Sequence, residues 1–136
     1  MKKIFICAFL ISFFSCTQEK DKKMKIVWSD EFDYTSLPDS TKWTAEVGGH
    51  GWGNNELQYY TAGRKENARV ENGLLTIEAH KENWDSMKYT SARLITKNKG
   101  DWQYGKIEVK AKLPKGRGTW PAIWMLASKY PIEMAR

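Results

Sequence analysis

Residues 104–114, YGKIEVKAKLP, decide the fold class of this chain. Ile107, Val109, Ala111 and Leu113 alternate with Lys106, Glu108, Lys110 and Lys112. Successive side chains of a strand point to opposite faces, so this period of two predicts a half-buried strand in an antiparallel sheet. GLLTIEAH, residues 73–80, repeats the pattern with Leu75, Ile77 and Ala79 set against Thr76, Glu78 and His80. YTSARLITK, residues 89–97, repeats it more loosely through Ala92, Leu94 and Thr96. Most of the ten glycines fall between these runs, where turns belong, and no stretch carries a convincing helical period. Short strands at this spacing predict an all-β sandwich or barrel.

The first sixteen residues read as a targeting segment. Lys2 and Lys3 precede an 11-residue stretch, Ile4 to Phe14, whose one polar member is Ser12. That is the length of a secretory h-region and too short to span a bilayer. Ser15 before Cys16 resembles the lipobox of bacterial lipoproteins, with Phe13 in place of the usual leucine, so Cys16 is the expected lipidation site. The expected organisation is a lipoprotein-type signal peptide over 1–16, a polar tether over 17–23 (TQEKDKK) and a β domain over 24–136. An exported protein held at a bacterial cell surface or in the periplasm by a lipid anchor follows from this reading. About 121 residues remain from Cys16 onward, enough for a small sandwich.

Cys7 and Cys16 are the two cysteines, so the domain itself has no disulfide, thiolate metal site or cysteine nucleophile. The formal charge of +6 includes Lys2 and Lys3, whose removal leaves +4. Lys97, Lys99, Lys106, Lys110 and Lys112 are interleaved with apolar residues or acids, which argues for a solvated strand face and against a nucleic-acid groove. His50 and His80 stand thirty residues apart and give no ground for metal ligation.

Seven tryptophans lie in the domain. Trp28 and Trp43 are expected in the core. Trp120 and Trp124 flank Pro121 after the KGRG turn, and in a strand they would share a face about 13 Å apart. That spacing suits two neighbouring sugar rings, whose apolar C–H faces stack on indole and whose hydroxyls need donors and acceptors. GGHGWGNNELQYYT, residues 48–61, supplies such polar groups.

WSDEFD (28–33), WGNNELQYYT (52–61), NGLLTIEA (72–79), YTSARLITK (89–97) and YGKIEVKAKLPKGRGTWPAIWML (104–126) stand in the order and approximate spacing of glycoside hydrolase family 16. The chain most resembles the laminarinase-like β-1,3-glucanases of that family. The resemblance implies a jelly-roll (concanavalin-like) β-sandwich, an open β-glucan cleft and retaining hydrolysis of O-glycosyl bonds with no required cofactor. It implies substrate contacts at Asn55, Arg93, Trp120 and Trp124, with Trp52 and Glu56 as weaker candidates. It also implies a structural calcium held through Glu31 and the Gly73 carbonyl, for which the family's third ligand is lacking here.

The family's acids lie on one strand, in a motif E-x-D-x-E or E-x-D-x-x-E, because alternate residues share a face and retaining hydrolysis needs two carboxylates about 5 Å apart. No such motif occurs in these 136 residues. Glu133 has no partner two or four residues away. Glu31 with Asp33, and Glu82 with Asp85 in an expected loop, lack the family's context. No residue is therefore assigned a catalytic role. Two readings follow: the N-terminal portion of an exported β-glucanase, inactive by itself, or a non-catalytic β-glucan-binding protein of the cell surface.

Overall fold

Seven short strands carry the regular structure of residues 24–128, the part of the chain that the computed structural model describes. They are β1 (Thr44–Glu46), β2 (Gln58–Tyr60), β3 (Ala68–Glu71), β4 (Leu74–Ile77), β5 (His80–Trp84), β6 (Met87–Ser91) and β7 (Arg93–Ile95). No helix occurs among the described residues. Cys16, the leader, the tether and Glu133 lie outside them.

Two hairpins follow directly from local sequence. Asn72 and Gly73 take φ of 53° and 73°, the left-handed pair that a two-residue hairpin turn requires. They join β3 to β4 in antiparallel register, with Val70 opposite Leu75 and Glu71 opposite Leu74. Asp85, with φ of 50°, turns β5 back along β6. Glu82 therefore belongs to a strand, not to the loop expected from sequence.

Strand β6 runs antiparallel to β5 on one side and parallel to β2 on the other. The run 89–97, expected as one strand, breaks at the buried Ala92. Up to Ser91 it pairs with β2, and from Arg93 onward it pairs with β1. Gly48 exchanges two backbone hydrogen bonds with Tyr60, at 3.1 and 2.9 Å, and so ties the end of β1 to β2.

The centre of the fold is largely polar. Val70, Asn67 and Thr90 are the largest side chains with essentially no solvent exposure. The Asn67 carboxamide accepts from Thr61 Oγ1 at 2.8 Å and Arg64 Nη1 at 3.2 Å, and donates to the Glu78 carbonyl at 3.1 Å and Thr90 Oγ1 at 3.0 Å. Arg64 also grips Glu82 through both terminal nitrogens, at 2.6 and 3.0 Å, while its Cζ lies 4.8 Å from the Trp84 ring centroid. Thr90 donates to the same carboxylate. Among the described residues no buried side-chain polar atom lacks a partner, which is the condition under which a polar core stabilises.

A second cluster fixes the segment before β1. Trp43 Nε1 donates to Asp30 Oδ2 at 2.7 Å, and Lys42 Nζ and the Tyr34 hydroxyl reach the same carboxylate. Trp28 meets Trp43 and Trp102 edge-on at 5.5 and 5.6 Å. A side chain on Gly100 would collide with Trp102 at 2.5 Å, so glycine is required where that ring crosses. Trp28 and Trp43 are half-buried within this cluster, less enclosed than expected.

The largest departure from expectation is residues 104–127. They form no strand among the described residues, and Ile107, Val109, Leu113, Ile123 and Trp124 are all exposed. Alternation supplies an apolar face, but a strand exists only when a neighbour takes its backbone hydrogen bonds. No described strand pairs with this segment. Leu74 and Ile77, on opposite faces of the β3–β4 ribbon, are exposed as well.

Glu82 gives the polar core a pH dependence. Hydrogen bonds from Arg64 and Thr90 hold its carboxyl well down, from the usual 4.5 to about 2. A depressed carboxylate stabilises above its unfolded value and loses that contribution as pH falls from about 4.5 towards about 2. Thermal melts across this range should show a falling midpoint, and Glu82→Gln should flatten the part of the slope that Glu82 supplies. An unchanged slope in a folded Glu82→Gln protein would remove Glu82 from this role.

Candidate functional site

Strands β1 and β7 set Glu46 directly opposite Arg93. Opposite charges at such a cross-strand position attract, and here Arg93 Nε donates to Glu46 Oε2 at 2.5 Å. The contact leaves the guanidinium carbon 4.7 Å from the ring centroid of Trp52 and 5.3 Å from that of Trp124. Both distances are within reach of a cation–π interaction. Arg93 thus collects one carboxylate and two indoles from three separate parts of the chain.

Trp52 is held by its own loop. Its Nε1 donates to the Gly48 carbonyl at 3.1 Å, its ring meets Tyr60 edge-on at 5.4 Å, and the His50 ring lies 4.3 Å away. The loop turns tightly because Trp52 and Asn55 both adopt positive φ and the Gly51 carbonyl accepts from the amides of Asn54 and Glu56. Gly49 is needed where the loop passes the sheet, since a Cβ there would stand 2.7 Å from Met87 and 2.9 Å from Tyr59.

Glu56 follows the turn and anchors its far side. It accepts from Gln58 Nε2 at 2.6 Å, the Tyr60 hydroxyl at 2.7 Å and Asn54 Nδ2 at 3.3 Å. Partial burial pushes its carboxyl upward, but the hydrogen bonds and the nearby Arg93 charge outweigh it and leave the carboxyl below its ordinary value. Burial and the adjoining carboxylate push the Tyr60 hydroxyl up to about 12, so it remains a neutral donor. The site holds one fixed cation, Arg93, beside two carboxylates, Glu46 and Glu56.

Of the residues singled out from sequence, Arg93 and Trp124 come together, and the weaker candidates Trp52 and Glu56 join them. Asn55 is exposed at the loop tip, and Trp120 is 90% exposed. Neither forms a hydrogen bond or ring contact with this cluster. Glu46 and Tyr60 escaped sequence reasoning. Their part depends on which strands pair, and no local pattern announces that Glu46 faces Arg93.

Both expected calcium ligands, Glu31 and the Gly73 carbonyl, lie among the described residues. Glu31 is exposed beside Phe32, and Gly73 sits at the tip of the β3–β4 turn. Among the described residues no three His, Cys, Asp or Glu side chains gather as ligands, whereas calcium takes six to eight oxygens. Among the described residues no helix is long and apolar enough to cross a membrane.

An arginine edge beside two indoles, with ionised carboxylates and a neutral hydroxyl around it, offers flat apolar surface and directional donors and acceptors together. That is the equipment for a ring with one apolar face and several hydroxyls.

The chain is similar to several known proteins. Residues 11–129 match the family model described as beta-glucan synthesis-associated protein SKN1/KRE6/Sbg1. A beta-glucanase of Rhodothermus marinus is 60% identical over 111 residues, covering 82% of this chain and 39% of the relative. The X-ray structure of the laminarinase from Rhodothermus marinus superposes with a TM-score of 0.59 at 62% identity, over 60% of this chain and 32% of that one. A mutant of a non-specific endo-β-1,3(4)-glucanase from family GH16, co-crystallised with 1,3-β-D-cellotriosyl-glucose and presenting a 1,3-β-D-cellobiosyl-glucose at its active site, gives 0.58 at 48% identity, over 62% of this chain and 36% of that one. The fold is the all-β jelly roll of these glucanases, and the chain spans well under half the length of the relatives it matches.

The Tyr60–Glu56 bond generates a direct test. Tyr60→Phe keeps the ring against Trp52 but removes the hydroxyl donor, so the Glu56 carboxyl should titrate at higher pH than in the wild type. Carboxyl-selective carbon NMR reads that pKa, and an identical titration in the variant would show that the 2.7 Å bond does not set it.

Proposed function

Because the chain belongs to the SKN1/KRE6/Sbg1 beta-glucan synthesis-associated family and is related to the family 16 glucanases, we propose that it is part of an endo-β-glucanase and supplies one flank of its glucan cleft. The observation that carries the proposal is Arg93 at 4.7 and 5.3 Å from the rings of Trp52 and Trp124. A glucosyl ring stacks on an indole face while its hydroxyls take hydrogen bonds from the guanidinium edge and give them to Glu56. Binding here orients the chain of sugars and excludes water from one side of it, which is the positioning half of catalysis.

Bond cleavage with retention needs a nucleophilic carboxylate and an acid/base carboxyl about 5 Å apart. None of the described carboxylates is assigned to either role: Glu46 and Glu56 are engaged with Arg93 and Tyr60, and Glu82 with Arg64. The 136-residue chain by itself is therefore proposed to bind and not to hydrolyse. Calorimetric titration with a laminari-oligosaccharide should show binding that Trp124→Ala weakens by about 1–3 kcal/mol, the scale of one aromatic contact. No reducing sugar should be released from laminarin. Wild-type affinity in Trp124→Ala, or sugar release by the purified chain, would overturn this assignment.

Export and anchoring form the second part of the proposal, supported by the length of the Ile4–Phe14 stretch and by Ser15 before Cys16. Cleavage before Cys16 and acylation of its thiol would hold the domain at a membrane surface through the 17–23 tether, with β-glucan as its soluble partner. In a bacterial host, a palmitate analogue should label the wild type and not Cys16→Ala. Equal labelling of the two would remove the anchor.

A further inference from the structure

Arg93 is held in an unusual way for a group offered to a neutral ligand. Its Nε is taken by Glu46, and among the described residues its two terminal nitrogens make no hydrogen bond. Those nitrogens are not sealed from solvent, since among the described residues no buried side-chain nitrogen lacks a hydrogen-bond partner. Glu46 thus fixes the guanidinium by its inner nitrogen and leaves the outer edge for an acceptor from outside.

The same contact sets the charge of the site. Glu46 neutralises Arg93, and Glu56, fixed by Tyr60, Gln58 and Asn54 and close enough for the Arg93 charge to act on its carboxyl, adds a second negative charge. One cation against two anions leaves the surroundings of the Arg93 edge net negative. Without Glu46 the same arginine would be a ready site for sulfate or carboxylate, the groups that guanidinium binds best.

We infer that Glu46 is a positioning and specificity-determining residue, which presents the outer edge of Arg93 to sugar hydroxyls and, together with Glu56, turns away sulfated or uronic rings. The inference rests on the glucan-binding reading of this site and adds to it a selection for neutral sugar and the residue responsible. The physical basis is repulsion: a sulfate that reached Arg93 would also stand beside two carboxylates, and like-charge juxtaposition costs more than the arginine returns.

The test compares laminaritetraose with a sulfated laminari-oligosaccharide of the same length, titrated against the full chain with tryptophan fluorescence as the readout. Glu46→Gln preserves shape and an acceptor oxygen while removing the charge. Its readout is the ratio of the two affinities: the neutral-to-sulfated ratio should shift about tenfold towards the sulfated ligand, one unit charge at partly solvated range. Glu46→Ala, which also frees Arg93 to move, should lose laminaritetraose affinity about tenfold, the scale of one charge-assisted contact. A loss of fold alone would lower both affinities and leave their ratio unchanged, and thermal melts identify it. If Glu46→Gln does not fold, the neutral-to-sulfated ratio of Glu46→Ala, which also lacks the carboxylate, carries the same charge test and should move in the same direction. An unchanged ratio in a folded charge-removing variant overturns the inference while the glucan reading stands. Failure of the wild type to bind either oligosaccharide overturns both.

Discussion

The Asn67 carboxamide is the constraint on which the described fold depends. Four hydrogen bonds join it to Thr61 after β2, to Arg64 in the loop before β3, to the backbone between β4 and β5, and to Thr90 in β6. A sheet protein of this size ordinarily relies on an apolar core, but the fully buried residues here are few and half of them are polar. Burying a carboxamide is favourable only if every donor and acceptor is met, and Asn67 meets all of them. Asparagine is suited to the place because its two donors and one carbonyl reach three segments from one side chain.

The site inherits its geometry from that centre. Thr90 is bound to Asn67, Ser91 then pairs with Tyr60, and after Ala92 the chain leaves β2 for β1, which carries Arg93 to Glu46. Two residues apart on one run, Ser91 and Arg93 belong to different strand partners. The break at Ala92 therefore separates the half centred on Arg64 and Glu82 from the half centred on Arg93, where we propose glucan binds. Each half uses the same device, an arginine anchored by a carboxylate and laid over tryptophan. In the first half both terminal nitrogens of Arg64 are consumed by Glu82, so it can only hold the fold. In the second the carboxylate takes Nε alone, and the arginine keeps an edge to offer.

Residues 104–127 show how far an amphipathic pattern reaches. Their alternation is the clearest in the chain, and the residues are exposed and unpaired among the described strands. An apolar patch of this extent marks a surface that packs against something else when covered. Trp124 is the point where this segment touches the rest of the site, through Arg93.

The sequence by itself determined the all-β class and the aromatic and polar residue types gathered around Arg93, because alternation and residue chemistry are properties of neighbouring residues. The five ordered motifs carried the family, and with it Arg93 and Trp124. It could not determine which strands pair, since pairing depends on hydrogen bonds between segments far apart in the chain. For that reason residues 104–114, the best strand by pattern, form none among the described residues, while 89–97 divides into two strands at Ala92. Glu46 lies forty-seven residues before Arg93, and only the β1–β7 register makes them partners. Only the tertiary structure, likewise, could show that Asn67 is the buried hub, because an asparagine beside a turn reads as a surface residue until the groups around it are known.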